Sequence, residues 1–183
     1  METTLNNIFD ENKAINAILY IANRLQRKDF HKIFKLIYFS ERDHLSDYGR
    51  MITGDSFIAM NDGPVPSKIY DIFKAIRGDS YFSDNGKFSV YFSISDWDLL
   101  VPKCDANLNE LSQSEIEAFD NSLRLYGNLS WDEIREKSHD YAWRNTIQNR
   151  AISYENIMRE TGDTDDFIEY VKEQQTLSEA VLV

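Results

Sequence analysis

The segment from residue 49 to 73, GRMITGDSFIAMNDGPVPSKIYDIF, most restricts what this chain can fold into. It contains three of the seven glycines in the chain and two of its three prolines, Pro64 and Pro66. Glycine reaches backbone angles that other residues avoid, and proline fixes φ and interrupts helices. A helix therefore cannot cross this segment. Because the segment also carries many large apolar residues, we expect a fixed turn that holds them close to the next helix.

Apolar periodicity predicts helices before this turn, over residues 12–27 and 29–48. Gly49 stands where a glycine cap would end the second helix. After the turn, Ser67 is expected to cap a helix over 68–76 through its side chain. The residues before Pro64 and Pro66 are pushed away from helical angles, so Gly63 and Val65 are expected to be extended.

Strand patterns occur in the middle of the chain. Residues 56–60 combine β-branched and aromatic side chains, and residues 88–94 alternate apolar and polar positions. Residues 99–101 are predicted as an antiparallel partner of the second segment, ended by Pro102. The three segments together predict one small antiparallel sheet of two or three strands.

The second half of the chain is predicted to be helical. Ser112 followed by Glu115, and Ser130 followed by Glu133, have the spacing of capping boxes. We therefore predict four helices, over residues 113–126, 131–138, 153–160 and 165–175. With a length of 183 residues, the chain is expected to form one α+β, mostly helical domain over residues 1–175, followed by a loosely held tail over 176–183.

Composition favours a cytoplasmic protein. Cys104 is the single cysteine, so no internal disulfide can form, and this fits a reducing compartment. The first residues have no signal-peptide pattern. No window approaches the roughly 18 consecutive apolar residues of a membrane span. We therefore expect no membrane association.

The charge of the chain is uneven. The formal net charge is −11, and residues 105–183 contain seventeen acidic and seven basic residues. Such a surface repels nucleic-acid phosphates and attracts basic partners, although acidity can also serve solubility alone. A basic stripe is predicted on the second helix and the residues before it. It consists of Arg24, Lys28, His31 and Lys35, with Lys32 and Arg42 nearby. It is either a solvated face or a site for an acidic partner.

Two further functions are open from the residues alone. The helices around Gly127 have the layout of a helix-turn-helix, but the second one begins with Trp131, Asp132 and Glu133. Acidic residues there oppose phosphate, so packing is favoured over DNA binding by an autoregulator.

A hydrolase-like enzyme is the second function that the residues alone leave possible. It would use Asp43, His44, Asp47, Asp55 or His139, but no HExxH or paired CxxC spacing supports it. Histidines that fix local structure by hydrogen bonds are the alternative, and His139 with Trp143 is predicted to stack.

The stretch KIFKLIYFSERDHLSDYGRMITGDSFIAMNDGPVPSKIYDIFK, residues 32–74, resembles the signature of the Panacea domain, or SocA-like antitoxin domain. It has that family's Arg-x-His-Leu, Gly-Arg-x-Ile-Thr-Gly-Asp and Gly-Pro-Val-Pro-Ser elements. LSQSEIEAFDNSLRLYGNLSWDEIREKSHDYAW resembles the closing region of the family, with its Ser-His element and Trp. The resemblance covers about residues 12–150.

The resemblance implies an antitoxin of a bacterial or phage toxin–antitoxin pair, which neutralises a cognate protein toxin by direct binding. Some members of the family deliver the toxin for proteolysis, so a protease or chaperone is a second expected partner. It implies no enzymatic activity, no cofactor and no metal. The motif residues are expected to serve structure or toxin contact, and they are Arg42, His44, Gly49, Ile52, Thr53, Gly54, Asp55, Phe57, Met60, Gly63, Pro64, Val65, Pro66, Tyr70, His139 and Trp143.

Overall fold

Helix α2 (Phe30–Tyr48) lies at the centre of the fold in the computed structural model, which describes residues 8–79 and 82–181. Helix α1 (Glu11–Asn23) packs against it, and other helices cover its remaining sides. Ile33 and Ile37 belong to its predicted apolar face, but Leu36 and Phe39, on another side, are equally buried. The helix is apolar on more than one side because it has neighbours on more than one side.

The described residues form an α+β domain of eight α-helices and two small sheets, which confirms the predicted fold class. The remaining helices are α3 (Ser67–Arg77), α4 (Gln113–Tyr126), α5 (Trp131–Ser138), α6 (Tyr141–Arg144), α7 (Tyr154–Thr161) and α8 (Asp165–Val181). Of these only the four-residue α6 was not predicted. None of the helices in the described residues is long and apolar enough to cross a membrane.

The strands form two separate hairpins. Strand β1 (Phe57–Met60) pairs with β2 (Gly63–Pro66), and β3 (Phe92–Ser95) pairs with β4 (Leu99–Pro102). The prediction that residues 56–60 would join the later strands is therefore wrong. The extended Gly63–Pro66 segment lies two residues away and closes with little loss of chain entropy. Strand β4 instead bridges to Asp29, just before α2.

The predicted strand over residues 88–94 is only partly present. Residues 88–91 form turns, because the Asp84 carboxylate accepts hydrogen bonds from the backbone N–H groups of Phe88 and Ser89. Phe88 is buried, whereas Val90 is 61% exposed. The alternating pattern therefore overstated the length of the strand.

The predicted helix ends are largely confirmed. Both capping boxes are formed, at Ser112 with Glu115 and at Ser130 with Glu133. Gly49 caps α2 with a left-handed φ of 68°. Helix α8 runs to Val181, beyond the predicted end at residue 175. The loosely held tail stays a prediction, and its last two residues lie outside the described ones.

Candidate functional site

The Gly- and Pro-rich segment forms the β1–β2 hairpin, residues 57–66, and its tip is held by three helices. From α6, Trp143 Nε1 donates to the backbone oxygen of Met60 at 2.8 Å. From α5, Arg135 Nε donates to Asp62 Oδ1 at 2.9 Å. His31 Nε2, on α2, lies 3.2 Å from the backbone oxygen of Asp62. A two-residue turn that would otherwise be mobile is thereby fixed in one position.

The outer edge of β1 is also paired. Ala59 N donates to the Arg150 oxygen at 2.9 Å, and Asn149 N donates to the Ala59 oxygen at 2.8 Å. Ile152 N donates to the Phe57 oxygen at 2.8 Å. The segment after α6 therefore covers the strand edge that a free hairpin would expose to another chain.

Gly63 is where the hairpin comes closest to the helices. Gly63 pairs within β2, as expected for an extended segment, but its φ is 99°, a positive value that glycine adopts readily and that the position before Pro64 does not by itself require. A Cβ atom on Gly63 would lie 2.3 Å from Ser138 Oγ and 2.9 Å from Lys35 Cε. The backbone of β2 therefore packs directly on α2 and α5, with no room for a side chain between them.

Lys35 lies beneath the hairpin and not on a surface. It is 1% exposed, and its Nζ donates to the Pro64 backbone oxygen at 2.8 Å. Burial lowers the pKa of Lys35 to about 7. Its inclusion in a basic binding stripe was therefore wrong, because the hairpin covers this position of α2.

The other stripe residues are engaged with the protein itself. Their partners are Tyr20 for Arg24, the Leu25 oxygen for Lys28, Trp131 for His31, the Gly127 oxygen for Lys32 and Asp43 for Arg42. The contacts of His31 and Lys32 tie α2 to the region of α4 and α5, and the other three are local. These residues do not form one open basic face.

We expect the stability of the protein to rise between pH 7 and 9 because of Lys35. The folded-state pKa of Lys35 is about 7, below the ordinary lysine pKa of 10.5. Between these values the unfolded chain binds more protons, so the free energy of unfolding increases with pH, by about 2 kcal/mol for this group. Urea unfolding at pH 7 and pH 9 measures the rise. The Lys35→Met variant should show a clearly smaller rise, and an equal rise would contradict the assignment to Lys35.

Glu41 is the main residue that sequence reasoning missed. This fully buried carboxylate accepts hydrogen bonds from the backbone N–H groups of Ile52 and Thr53 and from the Thr53 hydroxyl. Burial raises the pKa of Glu41 to about 7, although these hydrogen bonds oppose the rise. Its one sequence signal is its spacing of four residues from both Ile37 and Leu45, which are buried. Glu41 fixes the entry to the hairpin as Lys35 fixes its exit.

Asp55 caps helix α3 from the start of the hairpin. Its carboxylate accepts from the backbone N–H groups of Lys68 and Ile69, both at 2.9 Å. Ser67 is the first residue of the helix and caps nothing with its side chain, so that prediction was wrong. An acceptor on a buried neighbouring segment satisfies the free N–H groups better than a half-buried serine. Gly54, with φ of 73°, permits the bend before Asp55.

The histidines of the motif hold local structure. His44 Nδ1 lies 2.9 Å from the Arg50 backbone oxygen, and its Nε2 lies 3.1 Å from Ser114 Oγ. His139 stacks on Trp143 as predicted, with ring centroids 3.7 Å apart and an interplanar angle of 4°.

The residues of the hydrolase hypothesis are not joined. Among the described residues no hydrogen bond links His44, Asp55 and His139 to one another. In the same part of the chain, no three His, Cys, Asp or Glu side chains form a group that could hold a metal ion.

The motif residues divide into a buried set and a small exposed set. Ile52 and Phe57 belong to the core, and Val65 and Tyr70 are half-buried, so none of them offers an open surface. Met60 is 37% exposed at the hairpin tip. We use the name tip surface for Met60, Asp62, Trp131 and Ile147, which are exposed; Met60 and Asp62 lie at the hairpin tip, and Trp131 and Ile147 lie on the neighbouring segments that contact it.

Comparison with known proteins gives one match. A family model described as antitoxin SocA-like, Panacea domain, matches residues 33–144. Searches of curated proteins and of solved structures found no match. The matched range begins in α2 and ends in α6, so it includes the hairpin and the Arg135 and Trp143 side chains that hold its tip, but not His31.

Proposed function

Because the chain belongs to the family of SocA-like antitoxins with a Panacea domain, we propose that it neutralises a cognate protein toxin by binding it directly in the cytoplasm. The observation that supports this most is the fixed hairpin with an exposed tip. A surface that is ordered before binding loses less conformational entropy when the partner arrives. The hydrogen bonds from Trp143 and Arg135 provide that order at Met60 and Asp62.

The tip surface has the composition of a protein contact. It combines an exposed methionine, tryptophan and isoleucine, Met60, Trp131 and Ile147, with the charged Asp62 beside them. Tryptophan and methionine are enriched in interface centres, and charged residues favour the rim. We therefore place the toxin contact on the tip surface.

Co-expression tests the function. The protein encoded beside this one should arrest growth when expressed alone, and co-expression with the antitoxin should restore growth. The two proteins should then copurify as a complex. Rescue without any complex would contradict direct binding. Rescue that requires a cellular protease would assign the protein the delivery role that the family also includes.

Met60→Lys should weaken toxin binding at least tenfold, because a charge would be buried at the centre of the contact without a partner, which costs about 1.4 kcal/mol or more. Val101→Lys is the matched control, since Val101 is 42% exposed on a strand of the other hairpin. Calorimetric titration measures affinity, and thermal melts confirm that both variants stay folded. Equal affinities of the two variants for the toxin would show that the toxin contact does not lie on the tip surface.

A further inference from the structure

His31 connects α2 to both the hairpin tip and α5. Its ring stacks on Trp131, with ring centroids 4.4 Å apart. Its Nε2 lies 3.2 Å from the Asp62 backbone oxygen, which can only accept, so Nε2 carries the proton and donates it. Trp131 and Asp62 both belong to the tip surface, so this one ring contacts two of its four residues.

His139, at the end of α5, forms a second stack of this kind. Its ring lies 3.7 Å from that of Trp143, centroid to centroid. Trp143 Nε1 in turn donates to the Met60 backbone oxygen, and the Asn61 backbone interacts with the His139 ring itself. His139 therefore supports the tip beside Met60, as His31 supports it at Asp62.

Each of these histidines has one ring nitrogen that is buried and unpaired. The atoms are His31 Nδ1 and His139 Nε2, and neither has a hydrogen-bond partner among the described residues. In a neutral ring this nitrogen is an acceptor, whereas a protonated ring would place a charged N–H donor there with no acceptor. An unpaired buried group costs more when it is charged. The held tip therefore favours the neutral form of both rings.

The groups around His31 oppose a positive charge on balance. Burial opposes it most, and Lys35, one turn later on α2, repels it. Asp29 and Asp62 attract it, but the Asp62 carboxylate is already paired with Arg135 at 2.9 Å. The net effect lowers the pKa of His31 to about 4, from an ordinary value of 6.5.

The surroundings of His139 act in the same direction. Burial lowers the pKa of His139 most, and Arg135 and Lys35 add to the fall by repelling a positive charge. Glu136 favours the charged ring, but its side chain is 72% exposed, so water screens the attraction. Asp140, the next residue, uses its side chain to cap α6.

We propose that the tip surface is a proton-regulated contact, in which neutral His31 and His139 hold it in the toxin-binding arrangement and their protonation releases it. This inference rests on the proposed function, because it concerns the regulation of the same surface. To bind a second proton, each ring must turn its buried nitrogen to water, which breaks its stack on Trp131 or Trp143. Affinity for the toxin should therefore be high at neutral pH and fall on acidification.

The direction follows from the protons bound in the two states. A released ring titrates at the ordinary value of 6.5, whereas the held His31 has its pKa at about 4. Between these values the released state binds more protons, so release becomes more favourable as the pH falls from about 6.5 to about 4. Above this window both states are neutral and the tip is held.

Imidazole ¹⁵N NMR of the free protein tests the state of the rings without the toxin. At pH 7, His31 should be neutral with its proton on Nε2. His44 is the internal reference, because both of its nitrogens have partners, the Arg50 oxygen and the Ser114 hydroxyl, which can also accept from a charged ring. A proton on His31 Nδ1 at pH 7, or a charged His31 that leaves the Trp131 signals unchanged, would overturn the proposal.

Hydrogen exchange of the Trp143 indole N–H measures release of the tip, since this group is protected by the Met60 oxygen. Between pH 7 and pH 5 the equilibrium constant for opening should rise at least about fivefold. Trp97 is 72% exposed, and its indole N–H gives the exchange rate of an open group at each pH. Unchanged protection of Trp143 would overturn the proposal.

A double variant that cannot titrate separates the histidines from other acid effects. His31→Gln combined with His139→Asn places an amide N–H near the position of each tip-facing ring nitrogen, and neither amide takes up a proton in this range. The rise in opening should then be less than about twofold, whereas the control His44→Gln should keep the full rise. Melting temperatures at pH 7 verify folding. Equal rises in the double variant and the unchanged protein would overturn the proposal in favour of nearby carboxylates.

The toxin affinity and the antitoxin function fail separately. Calorimetric titration at pH 7 and pH 5 should show that the affinity of the unchanged protein falls at least about fivefold more than that of the double variant, which cancels any titration of the toxin itself. Growth rescue and copurification with a pH-independent tip would overturn this proposal and leave direct toxin binding standing. A pH-dependent tip in a protein that neither rescues growth nor copurifies would support the histidine mechanism and overturn the antitoxin function.

Discussion

Gly63→Ala should lower the free energy of unfolding by about 3–5 kcal/mol, the sum of backbone strain and overpacking. The φ of 99° is unfavourable for any residue with a side chain, and the added Cβ would lie 2.3 Å from Ser138 Oγ. The strand cannot move away, because Lys35 Nζ and three helices hold the hairpin at fixed distances. Urea unfolding of the variant measures the loss.

Gly78→Ala is the control that separates the cost of backbone strain from the cost of overpacking. Gly78 has φ of 83° and no atom within 4 Å of an added Cβ, so only backbone strain, about 1–2 kcal/mol, should appear. Ser138→Ala in the Gly63→Ala background removes the closest atom and should restore part of the stability. If Gly63→Ala cost no more than Gly78→Ala, the tight packing of the hairpin on α5 would be contradicted. Lost neutralisation in Gly63→Ala reports unfolding, which is why Met60→Lys is the variant that tests contact.

Glu41→Ala should lower the free energy of unfolding by about 3 kcal/mol, since it leaves buried hydrogen-bond donors without an acceptor. The affected groups are the backbone N–H groups of Ile52 and Thr53 and the Thr53 hydroxyl. Water cannot replace the carboxylate easily, because Glu41, Ile52 and Thr53 are all buried. Chemical denaturation at pH 8, where the carboxylate is mostly ionised, measures the loss.

Glu117→Ala is the matched control for Glu41→Ala. Glu117 is exposed on α4 and accepts from the Gln113 side chain one turn earlier, so its removal should change stability by less than about 0.5 kcal/mol. A Glu41 variant that is as stable as the Glu117 variant would show that the segment 52–53 is held by other contacts. The entry to the hairpin would then not depend on α2.

Much of the local structure could be predicted from the sequence because its causes are local. The capping boxes at Ser112 and Ser130 and the glycine cap at Gly49 involve residues within one helical turn, so their spacing specifies them. The extended pairing of Gly63 in β2 was predicted from its place before Pro64, whereas its positive φ is possible because the residue is glycine. The sequence also identified residues 32–74 as the segment that resembles the family signature, and the family match covers most of that range.

The tertiary structure alone decided which polar residues are buried and what they hold. Lys35 and Glu41 occur on a helix with many charged residues, and the one local signal, the spacing of Glu41 from Ile37 and Leu45, does not specify what Glu41 binds. Their burial depends on the hairpin and its entry segment, which pack on α2 from up to 29 residues away along the chain. The same holds for Asp55, which caps a helix 13 residues later. Hydrogen-bond partners and burial depend on which segments meet in space, and the spacing of residues along one segment does not contain that information.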